Sequence, residues 1–277
     1  TLNSPFFIEM QTGAKAAADR LGLDLVVQAA EREVDVEKQM QIVENLIQTG
    51  IKALMITPSG SREVIPVLAK ATAAGIPIIV VDTRIDAAAA TAASVKALTF
   101  IGSDNFEGGR AAGAELVLQT NGKAQVAILE GIPGHDTGDS RLKGFQEAVK
   151  DSPGIKILAS QTANWERDQG FTVFQNMLQA HPAIDAVFAC NDMMALGAIE
   201  AIAAAGKTGK IRVIGFDAVD DARKAIEAGT MAASVAQFPG EMGRMAVESA
   251  ARVLKGETIE AEQRVRIELI KKIGGPR

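Results

Sequence analysis

Several polar and aromatic residues of this sequence lie at the ends of short apolar runs or in loops, where side chains are available for chemistry. The set comprises Phe6, Phe7, Asp82, Arg84, Arg141, Trp165, Asn191, Asp217 and Gln237. Carboxylates and amides exchange hydrogen bonds with hydroxyl groups, arginine donates from a planar fork, and aromatic faces lie against the C–H faces of a ring. A catalytic site more often pairs a base with a nucleophile, and the sequence shows no such pair. These residues favour the binding of a neutral, hydroxyl-rich molecule.

Motifs for other chemistries are missing from the sequence. It contains no dinucleotide-binding glycine pattern, no P-loop and no nucleophile elbow. Two histidines, His135 and His181, are too few for a histidine-based metal site or a catalytic triad. His135 lies in a loop and is interpreted either as a ligand contact or as an ordinary loop residue. Cys190 ends an apolar run, which favours a buried small hydrophobe over a nucleophile. We therefore expect no enzyme activity, no metal and no cofactor.

Length and charge narrow the class of protein further. The 277 residues suit two medium domains or one large α/β domain. The net charge is −5 and no cluster of Lys and Arg occurs, which argues against a nucleic-acid partner. The longest apolar runs fall well short of the roughly 20 residues that span a bilayer. The single cysteine allows no internal disulfide.

Short apolar runs alternate with Ala-rich stretches of helical period, a pattern typical of parallel strands joined by helices. The predicted strands are 23–28, 52–57, 77–82, 98–102, 124–129, 155–160, 186–189, 212–216, 232–236 and 266–270. The first predicted helix is 14–21, and another is predicted at 140–151. This number of strands divides naturally into two open sheets, so the predicted fold class is α/β.

Acidic residues follow several of these strands and open the next helix. Asp104 and Asp192 stand directly before predicted helices, so we interpret them as N-caps that accept from free backbone amides. Asp82 and Asp217 stand before longer turns and are interpreted as site residues instead. Ligands of doubly wound folds bind outside the carboxyl ends of the strands, so the strand-end side chains predict one shared cleft.

Six stretches of the sequence carry a family resemblance, and they occur in order over nearly the whole chain. They are residues 1–7, 78–82, 101–105, 181–198, 213–217 and 235–237. The combination of Asn191-Asp192 before Met-Ala-Leu-Gly with Gly215-Phe216-Asp217 is the most specific part. Together these stretches resemble the ribose-type periplasmic sugar-binding proteins, which are the substrate receptors of ABC importers.

The resemblance implies the type I periplasmic binding fold: two doubly wound parallel-sheet lobes joined by a three-segment hinge. The first lobe would comprise residues 1–103 and 238–266, and the second 104–237 and 267–277. The hinge would lie near Gly102-Ser103, Gln237-Phe238 and Val265-Arg266, and a hinge absorbs its rotation in a few such residues. The lobes would close on a sugar held in the cleft, because the sugar contacts both lobes only in the closed form.

The resemblance also implies roles for individual residues. Phe6 and Phe7 match the aromatic pair of the first lobe and Trp165 the opposing aromatic of the second. The matching polar ligands are Asp82, Arg141, Asn191, Asp217 and Gln237. Ser4 stands where ribose binders usually carry Asn, and Thr83 stands where they carry Arg, with Arg84 displaced by one position. These departures favour another pentose, a deoxy or methylated sugar, a furanose hexose or a polyol, whereas ribose stays possible if Arg84 reaches the sugar.

The resemblance implies a monomeric, non-enzymatic receptor that binds an ABC permease. It would act in the periplasm or tethered to the outer side of the cytoplasmic membrane. The alternative is the effector-binding domain of a LacI-type repressor, which needs a helix-turn-helix and a dimerising face; the sequence shows no basic DNA-reading helix.

The family has a strand immediately before the Thr1–Phe7 stretch. We expect that strand either from residues upstream or from a replacement elsewhere in the chain, because an interior gap leaves backbone groups unpaired.

Overall fold

Two separate sheets organise the chain in the computed structural model, which describes residues 1–272. The helices in this part of the chain are α1 (Pro5–Leu21), α2 (Val36–Gln48), α3 (Ile65–Ala73), α4 (Ala87–Ala92), α5 (Asn105–Gln119), α6 (Asp136–Val149), α7 (Arg167–Ala180), α8 (Asp192–Ala204), α9 (Asp220–Ala228) and α10 (Pro239–Leu254). The strands are β1 (Leu54–Ile56), β2 (Ile78–Val81), β3 (Ala97–Gly102), β4 (Lys123–Glu130), β5 (Gly154–Thr162), β6 (Ala186–Ala189), β7 (Arg212–Asp217), β8 (Ala233–Ala236), β9 (Glu262–Arg264) and β10 (Glu268–Lys271).

The chain divides into two units, and each contains one sheet. The first unit comprises Thr1–Ser103, Gly134–Thr137 and Phe238–Arg266. The second comprises Asp104–Pro133, Gly138–Gln237 and the described residues from Ile267 onward. The last residues of the predicted second lobe, 273–277, lie outside the described residues.

A parallel sheet of four strands, in the order β1-β2-β3-β9, forms the centre of the first unit. Successive residues of β2 point to opposite faces, as the pleat requires. Ile78 and Val80 join an apolar cluster with α3 residues, whereas Ile79 and Val81 join a cluster with residues of α1 and α10. Both faces of the sheet are therefore covered by helices, the arrangement of a doubly wound fold.

The second unit has a six-stranded sheet in the order β10-β8-β7-β6-β4-β5. All of its pairings are parallel except that of β10 with β8. Its core centres on fully buried aromatics, including Phe145 and Phe188, whose rings stack with centroids 4.5 Å apart. The predicted α/β class with two largely parallel sheets is confirmed.

Nine of the predicted strands form, with ends shifted by a few residues, but the strand predicted at 23–28 is wrong. The segment is apolar enough for a strand, yet a strand also needs a hydrogen-bonding neighbour. Leu25 and Val27 line an apolar groove together with Leu54 and Ile56 of β1. No strand within residues 1–272 pairs with the outer edge of β1, so the replacement strand considered as one alternative is not found there.

Three further differences from the sequence prediction concern single elements. Helix α1 begins at Pro5 instead of residue 14, because proline suits the first helical position and the aromatic pair lies inside the helix. Helix α6 begins at Asp136, four residues before the predicted start. Strand β9 was not predicted, since Glu262–Arg264 is a polar segment with no apolar alternation. Within the described residues, no helix has the length and apolar character to cross a membrane.

Candidate functional site

The carboxyl edge of the second sheet collects four of the predicted site residues. Asn191 lies two residues after β6, Asp217 ends β7, and Gln237 directly follows β8. Trp165 comes three residues after β5. Because parallel strands end at a common edge, these side chains lie at the same end of the second unit. These four residues therefore agree with the prediction that strand-end side chains lie together at one edge of a sheet.

Arg141 connects this edge to helix α6 and is only 3% exposed. Its Nε donates to Asn105 Oδ1 at 2.9 Å, and its Nη1 donates to the Cys190 carbonyl oxygen at 2.7 Å. Nη1 also lies 3.6 Å from Asp217 Oδ1. No residue among 1–272 accepts from Nη2. The buried guanidinium is thus held firmly and keeps two N–H donors unused.

Aromatic rings surround this guanidinium. Its central carbon lies 3.8 Å from the centroid of the Phe216 ring and 5.6 Å from that of the Trp165 ring. A guanidinium over an aromatic face is stabilised by the ring quadrupole, most strongly where water is excluded. The two rings therefore help to hold a positive charge in a buried place.

Asp217 and Gln237 form a bonded pair beside the guanidinium. In the β7–β8 register Asp217 lies opposite Ala236, so Gln237 follows immediately beyond it. Gln237 Nε2 donates to Asp217 Oδ1 at 2.7 Å. Gln237 is fully buried, and its Oε1 accepts from no group among the described residues. A buried amide oxygen without a donor costs free energy, which makes this atom a natural acceptor for a ligand hydroxyl.

Trp165 lies at the same carboxyl edge of the second sheet, and neighbouring groups fix its position. It is 5% exposed and adopts a φ of +68°, and its carbonyl oxygen accepts from Asn191 Nδ2 at 3.1 Å. Gly131 makes room for the indole, since a Cβ there would lie 2.0 Å from Trp165 Cζ2. The ring is therefore positioned by its neighbours before any ligand arrives.

The interpretation of Asp192 as a helix N-cap is wrong, whereas that of Asp104 is confirmed. Asp104 accepts from the Glu107 amide at 3.0 Å. At helix α8 the cap is Asn191, whose Oδ1 accepts from the Met194 amide at 2.9 Å. The cap stands one residue before the predicted position, so the Asp192 carboxylate is available for hydrogen bonds with other groups. Asn191 combines capping with the bond to the Trp165 carbonyl.

In the first unit, Asp82 and Thr83 form a buried polar pair after β2. Asp82 is 5% exposed and has a φ of +63°, a conformation that aspartate tolerates better than most residues. Thr83 Oγ1 lies 3.3 Å from Asp82 Oδ2 and 3.0 Å from Thr137 Oγ1. The N-cap of the next helix, α4, is Asp86.

The aromatic pair of the first unit lies in the first turn of α1. The rings of Phe6 and Phe7 pack edge to face with centroids 5.2 Å apart. Phe6 is buried and Phe7 is half-buried, so Phe7 presents the more accessible face. Ser4 stands at the N-cap position of α1 without a side-chain capping bond.

The structure places Arg84 and His135 in local contacts of the first unit. The Arg84 guanidinium lies 3.8 Å from the Phe100 ring centroid and donates to Glu262 Oε1 at 2.9 Å. The positive charge of Arg84 lowers the pKa of Glu262, and the hydrogen bond from Arg264 lowers it further. His135 is buried, with Nε2 3.1 Å from the Pro58 carbonyl oxygen. The bond to Glu262 opposes the movement by which Arg84 would replace the missing arginine at position 83.

Sequence reasoning missed Asn105 and Phe216, which hold Arg141 from two sides. Asn105 belongs to a polar strand-end turn, and this is a usable signal, but its contact with a residue 36 positions away is not visible in the sequence. Phe216 has the pattern of an ordinary core residue. The contact of Phe216 with the charged Arg141 of α6 is a tertiary contact that this pattern does not reveal.

Cys190 is confirmed as a buried residue, and its environment argues against a nucleophile. Burial raises the pKa of its thiol to about 12. At pH 8 the thiol is therefore protonated, and the reactive thiolate is almost absent. We expect iodoacetamide to leave the native protein unmodified at this pH and to add one carbamidomethyl group after unfolding in guanidinium, as measured by mass spectrometry. Rapid labelling of the folded protein would contradict this placement.

Comparison with known proteins agrees with this architecture. Residues 1–258 match the periplasmic binding protein domain family. The ribose import binding protein of Escherichia coli is 39% identical over 272 residues, which cover 98% of this chain and 88% of that protein. The D-allose-binding periplasmic protein of the same organism is 37% identical over 245 residues, covering 88% and 78%.

Among solved structures, a periplasmic solute-binding protein of an ABC transporter from Actinobacillus succinogenes, with bound D-allose, is similar throughout. It shares 40% sequence identity with a TM-score of 0.92, and the match covers 98% of this chain and 94% of that one. This likeness extends over both sheets, beyond the few motifs at the strand ends. The chain therefore belongs to the periplasmic binding protein family and has the type I fold of its sugar-binding members.

Proposed function

We propose that this protein is an extracytoplasmic receptor that binds a neutral, pentose-like monosaccharide or polyol and delivers it to an ABC permease. Its similarity to import binding proteins for ribose and allose supports this function, as does the allose-bound neighbour. It is a binding protein and not an enzyme. The repressor alternative gains no support from these relatives.

The observation that carries the proposal is the unused hydrogen-bonding capacity around Arg141. The two N–H donors of Arg141 Nη2 and the buried Gln237 Oε1 lie in one polar cluster with Asp217. A sugar offers hydroxyl groups that both donate and accept, so it satisfies both kinds of group together. Trp165 supplies apolar surface against which C–H groups of a ring pack, whereas Phe216 supports the guanidinium of Arg141.

In this proposal the ligand-binding residues are those of the predicted set. They are Ser4, Phe6, Phe7, Asp82, Thr83, Arg84, His135, Arg141, Trp165, Asn191, Asp217 and Gln237. The two lobes are 1–103 with 238–266, and 104–237 with 267–277. The receptor acts as a monomer in the periplasm or tethered to the membrane, with no nucleic-acid partner.

Thr83 and Arg84 shape the choice of sugar. Thr83 is short and buried, and Arg84 is engaged by Phe100 and Glu262. The part of the sugar that would contact a bidentate arginine fork therefore faces the single hydroxyl group of Thr83. This smaller group tolerates bulkier or less polar substituents on the sugar. This supports a range of ligands that includes allose or a substituted sugar in addition to ribose.

A thermal-shift screen tests the proposed function. The panel comprises D-ribose, D-allose, D-arabinose, D-fucose and myo-inositol, with cyclohexanol as a ring of similar size that carries one hydroxyl. A ligand at about a thousand times its Kd stabilises the native state by about 4 kcal/mol, which raises the melting temperature of a chain this long by roughly 5 to 10 °C. At least one sugar should produce this shift and cyclohexanol none. No shift with any sugar would contradict the proposal.

A further inference from the structure

Asp192 is a fully buried carboxylate that the proposed binding set does not include. Although it is the first residue of α8, it accepts hydrogen bonds from outside that helix. Oδ1 accepts from Ser234 Oγ at 2.7 Å, and Oδ2 accepts from the Val219 amide at 2.9 Å. Burial raises the pKa of Asp192, and the nearby negative charge of Asp217 raises it further. A carboxylate is costly to bury, so the hydrogen bonds that Asp192 accepts from Ser234 and Val219 call for a structural or functional reason.

Ser234 extends the contact to the adjacent residue of the same turn. It is fully buried in β8, and its Oγ accepts from the Ala218 amide at 3.0 Å. The side chains of Asp192 and Ser234 therefore fix the two consecutive amides that follow Asp217. The turn between β7 and α9 is held by side chains of two other elements.

The turn held in this way has a backbone that needs support. Asp217 has a φ of +110° and Ala218 a φ of +53°, values that residues other than glycine seldom adopt. Such conformations persist only where the surrounding structure imposes them, and they cluster at binding sites. The backbone at Asp217 in turn sets where its carboxylate meets Arg141 and Gln237.

Gly215 provides an independent sign that the fold accommodates this carboxylate. A Cβ at position 215 would lie 2.2 Å from Asp192 Oδ1. Only glycine at this position of β7 lets the Asp192 side chain reach Ser234 in its observed place. The Gly215-Phe216-Asp217 segment thus combines the space for Asp192, the ring under Arg141 and the carboxylate itself.

We propose that Asp192 and Ser234 are positioning residues for sugar binding, which act by holding the Asp217 turn in its ligand-binding geometry. The inference rests on the proposed function, because Asp217 acts on a sugar only if the protein binds one. A role confined to folding would make the two residues important for stability alone.

Ser234→Ala tests the inference, with Ser249→Ala as the matched control. Ser249 is a similarly buried serine of α10 that accepts from Gln263 Nε2 in the first unit. The affinity and stoichiometry for D-ribose and D-allose are measured by calorimetry at 25 °C, with circular dichroism to establish that each variant is folded. Losing the buried hydroxyl should weaken binding about 10- to 30-fold at unchanged stoichiometry, whereas the control should stay within about twofold of wild type.

A double-mutant cycle separates positioning from a general loss of stability. If Ser234 acts through Asp217, its replacement should weaken binding much less in an Asp217→Asn background than in wild type. Equal penalties in both backgrounds would overturn the inference. If Asp217→Asn binds too weakly to titrate, the comparison of Ser234→Ala with Ser249→Ala decides alone.

The remaining outcomes are distinct. A Ser234→Ala variant that melts earlier but binds within twofold of wild type would show a folding role only and overturn the inference, while the proposed function stands. A wild-type protein that binds none of the panel sugars would overturn the proposed function and the positioning role with it.

Discussion

Replacing Arg141 with lysine should weaken sugar binding by about 3 kcal/mol, roughly a hundredfold in Kd, because the fork of donors and its stacking are lost. Arg141 bonds at once to Asn105 Oδ1 and the Cys190 carbonyl while it lies 3.8 Å from the Phe216 ring centroid. A lysine ammonium cannot reproduce this planar set. It keeps a positive charge near Asp217, so the variant avoids the large cost of an unpaired buried carboxylate.

Arg167→Lys is the control for this experiment. Arg167 lies in the same unit at the start of α7, with its side chain 41% exposed and paired with Glu200. An exposed ion pair contributes little, so this variant should bind sugar within about twofold of wild type. Calorimetric titration of both variants gives the comparison. An Arg141→Lys protein with wild-type affinity would remove Arg141 from the binding site.

Asp82→Asn should weaken sugar binding by about 2 to 3 kcal/mol, because a neutral amide forms weaker hydrogen bonds with hydroxyl groups than a carboxylate does. The unliganded melting temperature should stay close to wild type. Asparagine has nearly the same shape and tolerates the φ of +63° observed here. The two readouts, calorimetric Kd and apo melting temperature, therefore separate binding from folding.

Asp86→Asn makes the same chemical change four residues later. Asp86 caps α4 by accepting from the Ala89 amide at 2.7 Å, and asparagine caps helices about as well as aspartate. This control should change neither affinity nor melting temperature appreciably. If Asp82→Asn lowers the apo melting temperature strongly but leaves Kd unchanged, Asp82 has a structural role and not a binding one.

Much of the fold could be predicted because the signals are local. Strands such as Ile78–Val81 and Ala186–Ala189 are continuous apolar runs, and polar turns at their carboxyl ends mark the start of the next helix. Segment 23–28 has a similar local pattern yet forms no strand, because strand formation depends on a neighbour that local sequence does not report. The polar strand Glu262–Arg264 shows the converse case.

The candidate site was predictable in part for the same reason. Asn191, Asp217 and Gln237 stand at strand ends, and parallel topology brings strand ends together. The partners of Arg141 were not predictable, since Asn105 and Cys190 lie 36 and 49 positions away along the chain. The cap at α8 fell on Asn191 instead of Asp192 because both residues suit the position, and only the contacts of Asp192 with Ser234 and Val219 distinguish them.

The most direct measurement of the central claim is a calorimetric titration of the full chain with the sugar that gives the largest thermal shift. We expect one molecule of an uncharged sugar per chain, with a Kd in the micromolar range or below, typical of a largely buried small ligand. No measurable heat with this sugar or with any other of the panel would contradict the account.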